Sequence, residues 1–212
     1  MVQAILFDFW GTLVENGVNP SPVRQVKYFL RLNMAFHDFI TTFEESFMLK
    51  KHSTLREGFD AVCAAFDIHP PEFVIEKCIG MWNKNMLLAK PFPETIAMLD
   101  ELKKKYKLAL LSNTDNFSLE PVLDKFDLRK YFDVIILSCD AGHLKSDIKM
   151  FDEAVKKLEV KKKDCLMVGD SIESDMASAE KAKIASVLVD RNERQTYEKK
   201  IKTLEELNAF LE

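Results

Sequence analysis

Five short apolar runs, residues 4–9, 108–112, 134–138, 165–169 and 186–189, constrain the fold of this chain most tightly. They are nearly continuous rather than alternating, so both faces of each strand have to be covered, as in the interior of a parallel sheet. Segments with helical spacing separate or follow the later runs. These are residues 94–104, with Leu99 and Leu102 on the apolar side, then 119–126, 151–158 and the alanine-dense stretch 174–182. Strands alternating with helices imply an α/β fold, a doubly wound, Rossmann-like parallel sheet with right-handed crossovers. A last helix over 204–211 is expected to close one face.

The stretch from about Pro20 to Lys90 does not follow this alternation. It reads as four helices, over 22–31, 35–51, 55–66 and 71–88. Phe36, Phe39, Ile40, Phe43 and Phe47 form an apolar stripe at helical spacing, which reads as the interior of a helical bundle rather than a cofactor contact. Pro70 and Pro71 mark a break and a helix start, and Pro91 and Pro93 mark the return to the alternating pattern. The expected layout is a Rossmann-like core of residues 1–17 and 91–212, with an α-helical cap domain, 18–90, inserted after the first strand.

Composition narrows the function classes. Hydrophobic residues make up 47% of the 212 positions and charged residues 30%, enough apolar material for a core and against disorder. A formal net charge of -4 argues against a nucleic-acid partner, because phosphate-backbone binders carry basic footprints. The runs Lys103 to Lys105 and Lys161 to Lys163 sit at helix ends, where solvated cations favour the carboxyl terminus. Cys63, Cys78, Cys139 and Cys165 form no C-x-x-C pair and read as buried thiols in a reducing compartment. No apolar stretch approaches the roughly 20 residues needed to span a bilayer, and no cleavage signature opens the chain. No membrane partner is expected and the location expected is cytoplasmic. A monomer and a homodimer are both compatible with the sequence.

Ligands of an open parallel sheet sit beyond the carboxyl ends of its strands, near the topological switch point. Four of the runs deliver polar residues there: Asp8, within Phe7-Asp8-Phe9-Trp10-Gly11-Thr12; Ser112 and Asn113; Lys145, in a loop with Asp140 and Gly142; and Gly169-Asp170-Ser171, with Asp175 five residues after Asp170. An aspartate at a strand end can serve as a carboxylate nucleophile. Asp8, Asp170 and Asp175, if brought together, would repel one another unless a cation sat among them. Hard carboxylate oxygens favour Mg²⁺, which keeps waters and bridges to substrate phosphate. Lys145 and the Ser112 hydroxyl would supply fixed charge and a hydrogen bond to the transferring group.

These residues resemble the four motifs of the haloacid dehalogenase-like hydrolase superfamily, over the whole chain apart from the insertion. Phe7 to Leu13 is similar to the first motif, which holds the nucleophile; Leu111-Ser112-Asn113 to the second; Lys145 to the third; and Gly169 through Asp175 to the acidic fourth. The insertion resembles the cap that closes over the active site in one major branch. The resemblance implies a magnesium-dependent hydrolase, a phosphatase acting on a small phosphorylated metabolite through an aspartyl-phosphate on Asp8. Ser112, Asn113 and Lys145 would contact phosphate; Asp8, the Trp10 carbonyl and Asp170 would hold the metal. Asp175 either joins them or pairs with Lys145.

The chain also departs from that pattern. Phosphatases of this superfamily usually carry a second aspartate two residues after the nucleophile, which protonates the leaving alcohol and then activates water. Here Trp10 stands in its place, and an indole cannot transfer protons at neutral pH. Such acid–base help is worth about 10²–10⁴-fold. A slow phosphatase, one needing a good leaving group, or one with a base from elsewhere, including the cap, is therefore expected; Asp115 and Glu15 are candidates. An aromatic at this position is also common in the metal-independent 2-haloacid dehalogenases, but their fourth motif is generally less acidic where Asp170 stands. A weakly active phosphate-binding module is a further alternative. Ser146 follows the lysine where proline is common, a change in loop stiffness rather than charge.

Overall fold

In the computed structural model, which describes residues 1–211, the chain begins with strand β1 (Ala4–Phe7) and a two-residue strand β2 (Val14–Glu15). Four helices follow: α1 (Pro22–Phe29), α2 (Phe36–Phe47), α3 (Leu55–Ala65) and α4 (Glu72–Leu88). The chain then returns through β3 (Lys90–Pro91), α5 (Thr95–Leu102), β4 (Lys107–Ser112), α6 (Leu119–Lys125), β5 (Val134–Leu137), a short α7 (Ser138–Ala141) and α8 (Ile148–Leu158). It ends with β6 (Cys165–Gly169), α9 (Ala177–Lys181), β7 (Ala185–Val189) and β8 (Lys200–Ile201), followed by a 3₁₀ segment, Leu204–Phe210.

Six strands form one sheet in the order β5-β4-β1-β6-β7-β8, and every pairing in it is parallel. The chain builds outward from β1 to β4 and β5, then crosses back to β6 on the other side of β1. That reversal makes the carboxyl end of β1 the switch point. Side chains alternate across the sheet with a period of two. Ile5, Phe7, Leu108, Leu110, Leu166 and Val168 pack on one face with Leu99, Leu102, Val122 and Leu207. Ala4, Leu6, Ala109, Leu111 and Met167 pack on the other with Phe151, Ala154 and Ala179. Burial on both faces is why the strand sequences read as continuous apolar runs. All four cysteines are buried free thiols.

The four inserted helices close on a third apolar cluster containing Phe39, Phe43, Phe47, Phe59 and Trp82, which also receives Leu144 from the loop after α7. Thr54 caps α3 by accepting from the Glu57 amide at 3.1 Å, while the Glu57 carboxylate accepts from the Ser53 amide at 2.7 Å. Polar contacts join this cap to the sheet. The Trp82 indole donates to Asp115 at 3.0 Å, Ser138 Oγ donates to the Met48 carbonyl at 2.7 Å, and Asn116 exchanges two hydrogen bonds with the His52 backbone. The last residue of the expected core range, 212, lies outside the described residues.

Several elements differ from the sequence expectation. The first strand stops at Phe7 rather than at 9, because the chain turns at Gly11 (φ 83°) and the Leu13 and Val14 amides donate back to the Phe9 carbonyl. The expected helix over 174–182 opens as a π-helical turn, Ile172–Met176, in which both the Asp175 and Met176 amides bond the Ser171 carbonyl. The terminal segment is 3₁₀ rather than α, with a capping box between Thr203 and Glu206. Strand β8 and the antiparallel β2–β3 pair are too short to leave a periodic signal. No helix among the described residues is long and apolar enough to cross a membrane.

Candidate active site

Asp8 is the first residue beyond β1, and its amide still donates to the Val168 carbonyl at 2.9 Å, so the sheet ladder fixes its backbone. Its carboxylate is held from two sides: Lys145 Nζ donates to Oδ1 at 2.6 Å and Thr12 Oγ1 to Oδ2 at 3.0 Å. Lys145 also donates to Asp175 Oδ1 at 2.5 Å, and the Ser171 amide occupies Asp175 Oδ2 at 3.0 Å. Lys145 is 2% exposed and Asp175 0%, so this ion pair is out of water and its geometry is under strong constraint.

Asp8, Asp170 and Asp175 each place a carboxylate oxygen within 4.8 Å of the others. Two glycines make this approach possible. A Cβ on Gly11 would overlap the Asp170 carboxylate, and one on Gly169 would overlap that of Asp175. Three carboxylates share a single ammonium, which leaves an excess of negative charge. Burial, then the charges of Asp8 and Asp175, push the Asp170 carboxyl well above the usual range. Burial also raises Asp175, to about 6, against the pull of Lys145 and with the push of Asp8. For Lys145, burial disfavours the charge, but the adjacent Asp175 and Asp8 outweigh it and raise its pKa. The donor set is all oxygen, anionic and cleared of side-chain atoms by Gly11. A hard divalent cation fits it.

Ser112, at the end of β4, is 1% exposed and its hydroxyl has no partner among the described residues. An unpaired buried hydroxyl is costly, so this one is suited to an incoming acceptor. Asn113 is already engaged on both sides. Its Oδ1 accepts from the Lys145 amide at 2.9 Å, and its Nδ2 donates to Glu44 Oε2 of cap helix α2 at 2.9 Å. Trp10 is half-buried, its ring edge-on to Phe9 with centroids 5.0 Å apart, on the apolar side of the turn.

Neither substitute base expected from the sequence is free for that work. Asp115 is buried, and its carboxylate accepts from Trp82, from the Phe117 and Ser118 amides and from the Ser118 hydroxyl. Glu15 is half-exposed and pairs with Lys90 at 3.3 Å. His143 pairs with Asp147 at 3.1 Å. Of the cap arginines, Arg24 lies over the Phe36 ring and Arg56 pairs with Glu72, Asp60 and Glu76.

Two residues at the site were not anticipated from sequence. Arg191 follows β7, a strand end left out of the four considered. It donates to the carbonyls of Gly11 (3.3 Å) and Thr12 (2.7 Å) and to Glu94 (2.7 Å), which pins the loop carrying Thr12. Glu44 is the second. It falls between Ile40 and Met48 at a spacing of four, an acidic group on an otherwise apolar helix edge, and that spacing was the available signal.

Comparison with known proteins gives the family and the fold. The profile described as haloacid dehalogenase-like hydrolase matches residues 2–183. A glyceraldehyde 3-phosphate phosphatase from Methanothermobacter thermautotrophicus is 26% identical over 197 residues, 89% of this chain and 86% of that protein. A HAD phosphatase crystal structure from Thermococcus onnurineus superposes with a TM-score of 0.65 at 25% identity, covering 99% of this chain and 98% of its own. A 2-haloacid dehalogenase from Pseudomonas syringae pv. Tomato shares the fold, with a TM-score of 0.67 at 19% identity over 100% of this chain and 98% of that one.

Proposed function

Since the chain belongs to the haloacid dehalogenase-like hydrolase family and is a hydrolase of that family, we propose that it is a phosphatase for a small phosphorylated metabolite, with Asp8 as nucleophile. The observation that supports this most is the group of three carboxylates, Asp8 and Asp175 buried and Asp170 half-buried, around the buried Lys145 at the carboxyl end of β1. Mg²⁺ would be held by Asp8, Asp170 and the Trp10 carbonyl, where it would supply charge that lets an anionic nucleophile approach an anionic phosphoryl group. Asp175 accepts from Lys145 and from the Ser171 amide, so it holds Lys145 in place beside the cation site.

The chain's own residues divide the remaining tasks. Thr12 and Lys145 fix the Asp8 carboxylate in one orientation, and Asp8 attacks phosphorus to form an aspartyl-phosphate that water then hydrolyses. The Ser112 hydroxyl donates to a phosphoryl oxygen, and Lys145 offsets the negative charge that builds there. Asn113 orients the Lys145 loop. Residues 18–90 form the cap that covers this rim.

The test is a screen of phosphorylated metabolites, with glyceraldehyde 3-phosphate among them, run with and without Mg²⁺. Asp8→Asn and EDTA are each expected to abolish turnover; activity that survives either one rejects the mechanism. Trp10 favours a second reading, a 2-haloacid dehalogenase. The gathering of Asp170 and Asp175 with Asp8 weighs against it, since such an oxygen set suits a cation rather than an anionic haloacid. Halide release from a 2-haloacid in the presence of chelator would establish that second reading.

A further inference from the structure

Given the phosphatase reading, on which this assignment rests, one task is unfilled: Trp10 cannot move the protons that the leaving group and the attacking water require. We propose that Glu44 of cap helix α2 is the general acid and base of this enzyme, delivered to the site by the cap rather than by the loop after β1.

The placement supports this. Glu44 Oε2 accepts from Asn113 Nδ2 at 2.9 Å, and Asn113 directly follows Ser112, whose buried hydroxyl has no hydrogen-bond partner among the described residues. Asn113 Oδ1 in turn accepts from the amide of Lys145, the residue that grips Asp8. Glu44 is therefore bonded to the residue that follows Ser112 and that holds the backbone of the Lys145 loop. Among the described residues its second oxygen, Oε1, accepts no hydrogen bond, which leaves it to a leaving group or a water. The other acidic groups considered for this task, Asp115 and Glu15, are saturated or turned to solvent.

The electrostatics agree. Burial raises the Glu44 carboxyl from 4.5 to about 7, against Lys145 and the Asn113 hydrogen bond and with the charges of Asp175 and Asp8. A group titrating near neutrality is populated in both forms, as an acid that becomes a base must be. A permanently charged cap carboxylate would instead repel a phosphate monoester.

The two steps balance. Asp8 attacks phosphorus, the bond from phosphorus to the leaving oxygen breaks, and the Glu44 proton passes to that oxygen, which departs as the alcohol. Glu44, now ionised, takes a proton from water as the water oxygen attacks the aspartyl-phosphate. The bond from phosphorus to Asp8 oxygen breaks, phosphate leaves, and both carboxyl groups return to their starting forms.

Glu44→Gln keeps an acceptor for Asn113 and removes the proton. Turnover of an unactivated alkyl phosphate, glyceraldehyde 3-phosphate, should fall by about 10²–10⁴-fold. With 4-nitrophenyl phosphate, whose leaving group needs no proton, the variant should release about one equivalent of nitrophenol in a burst and then stall, with the phosphate adduct detectable on Asp8 by mass spectrometry. The alkaline limb of the kcat/KM profile for the alkyl substrate should vanish in Glu44→Gln and persist, displaced, in Glu44→Asp. An equal loss on both substrates with no burst and an unchanged pH profile would assign Glu44 a purely structural role and overturn the proposal. A wild-type enzyme inactive on every phosphate, or one unaffected by Asp8→Asn, would overturn the phosphatase reading and this assignment with it.

Discussion

The sheet and the cap bury their apolar surface in different ways. In the sheet, aliphatic residues alternate between two faces, and a one-residue slip would move every side chain to the wrong side. The cap closes on one cluster of rings: Phe47 lies 5.0 Å from Phe59, 5.3 Å from Phe43 and 5.1 Å from Trp82, centroid to centroid. Sheet register fixes position along the strand, so Asp8, Ser112 and Asp170 stand at or just beyond the ends of β1, β4 and β6. Ring packing defines a bundle but not where it sits against the sheet. That placement rests on a few hydrogen bonds, chiefly Trp82 to Asp115, Ser138 to Met48 and Asn113 to Glu44.

The sharpest way to break this contrast is to remove a ring from the cap. Phe47→Ala should cost about 3–5 kcal/mol in thermal or urea unfolding, the range for a large buried side chain. Because the cap is joined to the sheet by buried polar bonds, the loss should appear in one shifted transition. Two separated transitions would show that the cap unfolds alone and that those bonds contribute little.

On the sheet side, the corresponding change is Gly11→Ala. The new methyl would overlap Asp170, and the backbone there has φ 83°, where a Cβ costs about 1–2 kcal/mol. Mg²⁺ affinity and kcat/KM should each fall by about 10²-fold, or about 2.7 kcal/mol, while the cap's aromatic near-ultraviolet signal is retained. Unchanged magnesium dependence would detach Asp170 from the cation site.

Trp82→Phe addresses the junction itself. It removes one of several donors to the buried Asp115 carboxylate, a group already raised by burial, and should cost about 1–2 kcal/mol in unfolding. If the junction sets the position of Glu44, kcat should fall more than KM changes. A loss of stability with kcat intact would mean that Asn113 alone positions the cap helix.

The same contrast explains what could be read from the sequence. The core was legible because burial on both faces turns each strand into an unbroken apolar run, and because parallel strands carry Asp8, Ser112, Lys145 and Asp170 to one rim whatever the helices between them do. The four cap helices were legible from periodicity and from Pro70 and Pro71. Glu44 was not, because the phenylalanine stripe at 36, 39, 43 and 47 dominates the helix and says nothing of which neighbour faces the sheet. Arg191 was missed for a different reason. It contributes to the site by donating to two backbone carbonyls, and carbonyls have no sequence signature. The π-helical turn at 172–176 follows from two amides sharing the Ser171 carbonyl, a competition that composition does not reveal.

The smallest effect concerns pH and separates the cap's carboxyl from those of the rim. Glu44 binds its proton more tightly when folded, at about 7, than at the ordinary value of 4.5. Its contribution to stability is therefore fully present below the lower value and is lost as pH rises through the upper one. Glu44→Gln has no such dependence. Wild type and variant should unfold at similar temperatures below the lower value, and the variant should gain a few degrees, about 2–4 °C per kcal/mol for a chain of this size, above about pH 8. If the cation site is the one proposed, on Asp8 and Asp170 rather than on the cap, saturating Mg²⁺ should stabilise both proteins without altering that difference. A pH-independent offset between the two melting curves would show that Glu44 binds its proton no more tightly in the folded chain, and would leave the cap with no proton to give at neutral pH.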